Sequence, residues 1–246
     1  MTSSHQATSV QFHPDAPRPR FPWRASLPSS WIYLNTHPDS SKFQTQLIAE
    51  NYIPGHRFSR SEQKLIVRQL EETISAARKS KVLLALIQPG VDSNGQPTAA
   101  TLLLRWYDSS PDYASLATVK EAMSNQTAGA HTEVTECTTP QSVAYLMTSR
   151  VQNTGSITER RQIFHQQAFL PLPASTWTLV ISGSTPDADS NAAMRDIVIR
   201  ITNSVRVLDE QSLPAPTDVS SADDALLSAD ETGGEIESAQ NTKEES

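Results

Sequence analysis

The amino-acid sequence predicts an α+β fold, in which a mainly antiparallel sheet of about five to seven strands is packed against helices. Two observations carry this prediction. Apolar segments of strand length come in pairs joined by turn residues, and helical segments are inserted between these pairs at intervals. A regular alternation of strands and helices is absent. Its absence disfavours a doubly wound parallel sheet, because each parallel strand pair needs a long crossover connection.

The first predicted elements are an extended segment and a short helix. Residues 25–34 crowd apolar and aromatic side chains beside Pro28, which indicates a strand or extended segment at the edge of the core. Phe43 and Leu47, with Ile48 as a further apolar candidate, predict a short helix that ends near Pro54.

A longer amphipathic helix follows and runs to about Lys79. Ser59 and Glu62 have the spacing of a capping box, in which each side chain bonds the other residue's backbone amide. The apolar stripe of the helix consists of Ile66, Leu70, Thr73, Ile74 and Ala77. The opposite face is charged, includes Arg78, and is expected to face solvent.

A hairpin and a third helix are predicted next. The apolar run at 82–87 is short enough for a strand buried on both faces. Asp92-Ser93-Asn94-Gly95 supplies turn residues, and the segment 101–107 returns as the second strand. The helix after it is expected over residues 113–123, with Leu116, Val119 and Met123 at helical spacing.

The C-terminal half predicts four more strands and a closing helix. The strands are expected at residues 133–137, 142–152, 157–170 and 177–182. Pro171 ends the third of them because proline cannot donate to a strand ladder. The closing helix is predicted from Met194 to Leu208, with its apolar residues on one face.

Charge and composition divide the chain into three parts. Residues 1–20 form an arm rich in proline, arginine and serine, and residues 209–246 form an acidic tail that carries a net charge of −10. Both are predicted to be disordered because neither contains enough apolar surface to offset the entropy lost on folding. Residues 21–208 are predicted to form a single domain, and the arm and the domain together carry a net charge of +3.

Common catalytic and cofactor motifs are missing. Eight glycines provide neither of the glycine-rich phosphate loops, and no G-x-S-x-G nucleophile elbow occurs. Cys137 is the only cysteine in the chain, which excludes a C-x-x-C site, and the six histidines never occur as H-x-x-x-H. We therefore predict no cofactor and no metal site.

One cluster offers a hypothesis of enzymatic function. His131, Glu133, Glu136 and Cys137 are close in sequence and could meet at the end of a strand. A thiolate beside an imidazole can act as a nucleophile, as in some hydrolases. The alternative is that Cys137 is a small buried side chain.

Partners and location follow from charge and hydropathy. A net charge of only +3 over residues 1–208 lacks the basic footprint of a nucleic-acid-binding protein, so no nucleic-acid partner is expected. No apolar stretch reaches the length of a membrane span, and the N-terminal residues lack the apolar core of a signal peptide. With a single cysteine, these features predict a cytoplasmic protein that does not insert into membranes.

Four large aromatic residues are candidates for a ligand or partner surface. They are Trp31, Trp106, Tyr145 and Trp177. Aromatic side chains are enriched at interfaces and in small-ligand pockets. The alternative is that these residues pack in the core.

Several segments also occur in the order found in a known group of proteins. They are Phe21-Pro22-Trp23, Leu27-Pro28-Ser29-Ser30-Trp31, Phe169-Leu170-Pro171-Leu172-Pro173, Trp177-Thr178-Leu179-Val180-Ile181-Ser182 with Thr185-Pro186, and Asn203-Ser204-Val205-Arg206 in the closing helix. Over residues 21–208 the chain resembles uncharacterised actinobacterial proteins that look like the PsbP-like α+β fold. It differs from their exported lipoprotein branch because it has no signal sequence or lipid-bearing cysteine.

This resemblance implies a bent antiparallel sheet and a non-enzymatic binding, adaptor or accessory role, which in some members is linked to secretion systems. It implies no catalytic residues. The leading hypothesis is a non-catalytic accessory protein that binds another protein through a sheet face or cleft. An enzyme that uses the cluster around His131–Cys137 and a small-ligand-binding module are the alternatives.

Overall fold

The computed structural model describes residues 14–37, 41–92, 95–124, 132–154 and 161–208, and it shows the predicted α+β fold. Seven strands form one antiparallel sheet, and four helices accompany it. The acidic tail and the first thirteen residues of the predicted arm lie outside the described residues, so the proposed domain boundaries stay a prediction. In the described part of the chain, no helix is long and apolar enough to cross a membrane.

The strands and helices are numbered in chain order. The strands are β1 (Trp23–Arg24), β2 (Ile32–Leu34), β3 (Leu84–Val91), β4 (Pro97–Asp108), β5 (Thr132–Thr138), β6 (Ala144–Thr154), β7 (Arg161–Pro171), β8 (Trp177–Thr185) and β9 (Arg206–Val207). The helices are α1 (Ser41–Glu50), α2 (Arg60–Lys79), α3 (Leu116–Ser124) and α4 (Asn191–Ser204). The sheet order is β2-β3-β4-β8-β7-β6-β5, and β1 pairs separately with β9.

Two hydrophobic clusters lie on opposite faces of the sheet. On one face, α4 packs over β7 and β8, and its Met194, Val198 and Ile201 are buried against strand residues such as Leu102 and Leu179. On the other face, α1 and α2 cover β2 and β3. This division follows from the alternation of side chains along each strand, which sends neighbouring residues to opposite faces.

The most regular predictions are confirmed. The β3–β4 hairpin pairs Leu84 with Leu104 and Val91 with Pro97, and Gly95 in its turn has a φ of +74°, which suits glycine. In α2, the side chain of Ser59 accepts a bond from the Glu62 amide and the Glu62 carboxylate accepts one from the Ser59 amide. The predicted apolar stripe of α2 is buried except for Thr73, which is half-buried.

The orientation of α1 differs from the sequence expectation. Of the apolar residues that predicted the helix, Ile48 is buried, but the side chains of Phe43 and Leu47 are 76% and 51% exposed. The buried face consists of Ser41, Thr45, Ile48 and Ala49. Because α1 packs against α2, the rotation of the helix is set by that contact and by the side chains that fit it.

Arg78 also departs from the expectation that the charged face of α2 lies in solvent. Its side chain is half-buried and donates three hydrogen bonds, to the carbonyls of Thr36 (2.7 Å) and His37 (2.9 Å) and to Ser41 Oγ (2.6 Å). The guanidinium group therefore joins the end of α2 to the segment between β2 and α1.

The closing helix begins and ends earlier than predicted, at Asn191 rather than Met194 and at Ser204 rather than Leu208. It ends at Ser204, because Val205 adopts an extended conformation, and the next two residues form β9. There Val207 pairs with Trp23, and the Leu208 amide donates to the Pro22 carbonyl at 2.9 Å. The pairing of β1 with β9 was not predicted, and it joins the two ends of the folded region.

Smaller differences concern element ends. The helix α3 begins at Leu116 rather than 113, after Ser115, whose hydroxyl accepts a bond from the Thr118 amide at 3.2 Å. Strand β8 extends to Thr185, and residues 157–160 of the predicted third strand lie outside the described residues. Within the predicted N-terminal arm, Ala16 is buried against the hydrophobic cluster beneath α4.

Candidate functional site

One region of the sheet face that carries α1 and α2 is polar. On this face, the helices α1 and α2 cover β2 and β3, and α3 packs on β6 and β7. Between them the face consists of side chains from β4, β8, β7 and β6. Those that line the intervening groove are Thr101, Leu103, Arg105, Ser182, Ser184, His165, Gln167 and Arg150, together with Ser80 and Val82 after α2. We call this region the sheet groove, and its cavity volume is about 230 Å³.

The strand register places a row of polar residues across the floor of the sheet groove. Arg150 is opposite His165, His165 is opposite Ser184, and Ser184 is opposite Thr101. The Thr101 and Ser184 hydroxyls are hydrogen-bonded at 2.6 Å. The row thus runs without interruption from β6 to β4.

A second row lies two residues along each strand. It places Gln167 opposite Ser182 and Ser182 opposite Leu103, and Gln167 Nε2 donates to Ser182 Oγ at 2.8 Å. Because residues two apart on a strand point to the same face, both rows belong to one surface. The floor of the groove is therefore rich in hydroxyl and amide groups.

The charged groups of the sheet groove are cationic. Arg105 and Arg150 are exposed, and no carboxylate occurs among the lining residues. Glu136 of β5 is on the sheet face that forms the groove, as is Leu146 of β6, with which it pairs. Its carboxylate forms an ion pair with Lys120 of α3. The groove consequently attracts anionic groups.

The environment of His165 favours its neutral form. Burial, and secondarily the charge of Arg150, lower its pKa. Its Nε2 atom is buried and has no hydrogen-bond partner in the described part of the chain. Although His165 and Ser184 are cross-strand neighbours, no hydrogen bond joins them there, and no carboxylate orients the imidazole. This arrangement lacks the base-to-nucleophile contact that nucleophilic catalysis requires.

The four aromatic candidates lie on the opposite face of the sheet, around the hydrophobic cluster beneath α4. Trp106 and Tyr145 are buried in that cluster, and Trp31 and Trp177 are partly buried against it. The structure brings Trp106 and Trp177 together, with ring centroids 6.4 Å apart in an edge-to-face arrangement. Burial and the neighbouring Cys137 raise the pKa of Tyr145 to about 12. A ligand or partner role for these four residues stays a prediction.

A second hollow, with a volume of about 380 Å³, lies beside this aromatic cluster. It is lined by residues of the N-terminal segment, including Arg18, Trp23 and Leu27, and by Leu83 and Leu104. Its lining does not include the four aromatic candidates. The ring of Trp23, which lines the hollow, packs edge-to-face on Trp106 with ring centroids 5.0 Å apart.

The described residues of the hypothetical enzyme cluster lie on both faces of the sheet. Glu133 and Cys137 are on the α4 face of β5, opposite Ser149 and Tyr145 of β6, whereas Glu136 is on the other face. Glu136 pairs with Lys120, and Cys137 contacts Tyr145 on the α4 face. His131 lies outside the described residues. Among the described residues, no group of three histidine, cysteine, aspartate or glutamate side chains is arranged to hold a metal ion.

No protein-family model matches the chain, and no curated protein matches it in sequence. The solved structures that match include LpqN of Mycobacterium tuberculosis, described as involved in cell envelope biogenesis, with 12% identity, a TM-score of 0.37, and coverage of 76% of this chain and 83% of LpqN. They also include the Ran-binding protein Mog1p of Saccharomyces cerevisiae, with 13% identity, a TM-score of 0.35, and coverage of 53% and 82%. At these TM-scores the similarities are distant, and no residue role follows from them.

The sheet groove was not identified from the sequence. A partial signal was present, because Thr101, Leu103 and Arg105 alternate with the apolar residues of β4, and the segment around His165 is unusually polar for a central strand. The sequence does not show that β8 and β7 lie between β4 and β6. Without that strand order, Arg105 and Arg150 cannot be assigned to one surface.

Proposed function

We propose that this chain is a non-catalytic accessory or adaptor protein that binds another protein through the sheet groove. The observation that carries the proposal is the row of polar and cationic side chains across β6, β7, β8 and β4. This row lies between α2 and α3 on the sheet face that carries the sheet groove. A concave surface with two exposed arginines and a hydroxyl-rich floor suits recognition of a partner.

The margins of the sheet groove support this proposal. Tyr107 is on the same face as Arg105, two residues further along β4, and is 56% exposed. Val134 of β5 is 48% exposed and is opposite Thr148 on the same face. Arginine and tyrosine are enriched at protein interfaces and often dominate their binding energy.

The groove favours binding over catalysis for a chemical reason. Arginine stays protonated under all ordinary conditions and cannot act as a general base. The Ser184 hydroxyl is bonded to Thr101 rather than to a base. The groups in the groove can donate hydrogen bonds and positive charge to a bound molecule, and the proposal requires nothing more of them.

The proposal extends to the setting of the protein. The resemblance to actinobacterial proteins of PsbP-like type favours an accessory role beside a bacterial secretion system, and the amino-acid composition favours a cytoplasmic location. Neither is needed for binding at the sheet groove, so both can be tested separately by locating the protein in cells and by identifying its partner.

Affinity capture of the full-length protein from extracts of its own cells, with identification by mass spectrometry, tests the proposal. The groove variant carries Arg105→Glu and Arg150→Glu. The matched control carries Arg60→Glu and Arg200→Glu, which make the same change in net charge at exposed positions on α2 and α4. We expect a partner that is recovered with the wild type and the control and lost with the groove variant. Equal recovery with all three proteins, or no specific partner at all, would count against the proposal.

A further inference from the structure

The charge of the sheet groove restricts what can bind there. Its ionisable side chains are Arg105, Arg150 and His165, and no lining residue supplies a negative charge. The described strands place one carboxylate on this face, that of Glu136, and it is paired with Lys120. A partner with exposed basic residues would meet uncompensated repulsion, whereas carboxylates would form charge-assisted hydrogen bonds with the guanidinium groups.

The separation of the two arginines indicates the size of the ligand. Arg150 is in the row that contains Thr101, and Arg105 is four residues from Thr101 along β4. Three strand spacings and four residues of rise separate their Cα atoms by roughly 20 Å. One small anion would hold both guanidinium groups only if both side chains extended fully toward each other. A peptide that advances about 3.3 Å per residue carries carboxylates to each of them without that restriction.

The floor between the arginines suits an extended backbone. The hydroxyls of Ser182 and Ser184 and the amide of Gln167 can both donate and accept hydrogen bonds, and they lie along the path from one arginine to the other. An extended peptide offers unpaired backbone N–H and C=O groups to such a floor, whereas a helix has already satisfied its own. Apolar side chains would not use the remaining hydrogen-bonding capacity of these hydroxyl and amide groups.

From this charge, spacing and floor we infer that the sheet groove binds an extended acidic segment of the partner protein, with carboxylates held by Arg105 and by Arg150. The inference rests on the proposed function and names the chemistry of the partner. Arginine is suited to this role because its planar guanidinium group binds a carboxylate through two parallel hydrogen bonds.

Fluorescence anisotropy with the full-length protein tests this inference. The probe is a fluorescein-labelled, acetylated ten-residue peptide of alternating glutamate and serine, and the matched peptide has glutamine in place of every glutamate. We expect the acidic peptide to bind at least tenfold more tightly than the glutamine peptide. We also expect Arg105→Gln and Arg150→Gln each to weaken its binding roughly tenfold, the effect of losing one charge-assisted contact. Arg200→Gln on α4 is the charge-matched control and should leave binding unchanged.

Three results would overturn the inference. The first is equal binding of the two peptides, and the second is equal weakening of acidic-peptide binding by Arg200→Gln and by the groove variants. The third is complete displacement of the acidic peptide by inorganic phosphate, with phosphate binding as tightly as is expected of a single small anion. Thermal unfolding of each variant verifies that it is folded, which is expected because both arginines are exposed.

The two proposals fail in different ways. A captured partner that depends on Arg105 and Arg150, together with no preference for the acidic peptide, would retain the proposed function and reject the acidic segment. Specific binding of the acidic peptide without any groove-dependent partner in extracts would retain the chemistry of the site and reject the adaptor role in those cells.

Discussion

Met194 of α4 packs directly on Gly183 of β8. A Cβ atom placed on Gly183 would lie 2.8 Å from Met194 Cγ and 3.1 Å from Val198 Cγ2, with the sulfur of Met194 closer still. Gly183 pairs with Leu102 on one side and with Gln166 on the other. The absence of a side chain at this position therefore allows α4 to approach the middle of the sheet.

Gly183→Ala is expected to destabilise the protein by about 1–3 kcal/mol, because the added methyl group overpacks a buried contact. Urea unfolding measures the change. Gly90→Ala in β3 is the control, since its added Cβ atom would meet its nearest neighbour, Thr98 Cγ2, at an ordinary 3.7 Å. Combining Gly183→Ala with Met194→Ala should cost less than the sum of the two single changes. Additive costs would show that the two residues are not coupled.

Replacing Arg78 tests its bonds to the segment after β2. Arg78→Met is expected to lower the free energy of unfolding by about 1–3 kcal/mol, because backbone carbonyls and Ser41 lose a charged donor. Arg78→Lys should recover only part of this loss, since an ammonium group cannot reproduce the fork of the guanidinium. Lys79→Met, at an exposed neighbour, should change stability by less than about 0.5 kcal/mol. Full recovery with lysine would contradict the assigned geometry.

Tyr52 provides a bond between the end of α1 and β4. Its hydroxyl donates to the Thr98 carbonyl at 2.6 Å, and burial raises its pKa to about 12. Tyr52→Phe is expected to cost about 1 kcal/mol in chemical denaturation. Tyr113→Phe, at a side chain that is 71% exposed, is the control and should be near neutral.

The raised pKa of Tyr52 also has a consequence at alkaline pH. In the unfolded chain the Tyr52 phenol ionises near pH 10, whereas the folded state favours its neutral form. The resulting contribution to the free energy of unfolding is fully present below pH 10. It is lost as the pH rises from about 10 to about 12. Tyr52→Phe lacks this contribution, and its stability should fall less than that of the wild type over that range. Parallel curves for the two proteins would contradict the assignment.

His165 should make the protein less stable in mild acid. Its folded-state pKa is lowered by burial and then by Arg150, so the unfolded chain binds the proton first. Its contribution to stability is therefore present above the ordinary histidine pKa of about 6.5 and declines as the pH falls below it. Urea unfolding between pH 7.5 and pH 5 measures the slope, which His165→Gln should reduce; an unchanged slope in that variant would contradict the assignment.

Arg150 provides a second readout for His165. Removing the positive charge with Arg150→Gln should raise the pKa of His165 toward its ordinary value, because one of the two causes of the shift is lost. The titration of His165 can be followed by NMR of the imidazole ring. A pKa that stays the same in Arg150→Gln would mean that burial alone lowers it.

Local sequence patterns predicted most of the fold. The buried stripe of α2, its capping box, the β3–β4 hairpin and the strand that ends at Pro171 follow from periodicity or from the conformational limits of single residues. These signals depend on neighbours in the chain, and tertiary structure did not override them. Bounds were less accurate, as at the start of α3, where the exposed Tyr113 lies outside the helix.

Some features contradicted or escaped the local pattern because distant residues decided them. The apolar pair of Phe43 and Leu47 predicted the helix α1, but packing against α2 turned both side chains outward. Arg78 has the sequence context of a solvent-exposed residue, and it is half-buried because the segment after β2 passes beside it. The pairing of Trp23 with Val207 joins residues from the two ends of the domain, and no short-range signal indicates it.

By itself, the sequence determined the α+β class, the main strands and helices, and the absence of the common catalytic motifs. Only the tertiary structure decided where the candidate site lies. Arg105, Arg150, His165 and Ser184 share a surface because β8 and β7 are inserted between β4 and β6 and because the register aligns their residues. Side-chain alternation fixes which residues share a face within one strand, whereas strand order depends on contacts between segments far apart in the chain, which no local pattern encodes.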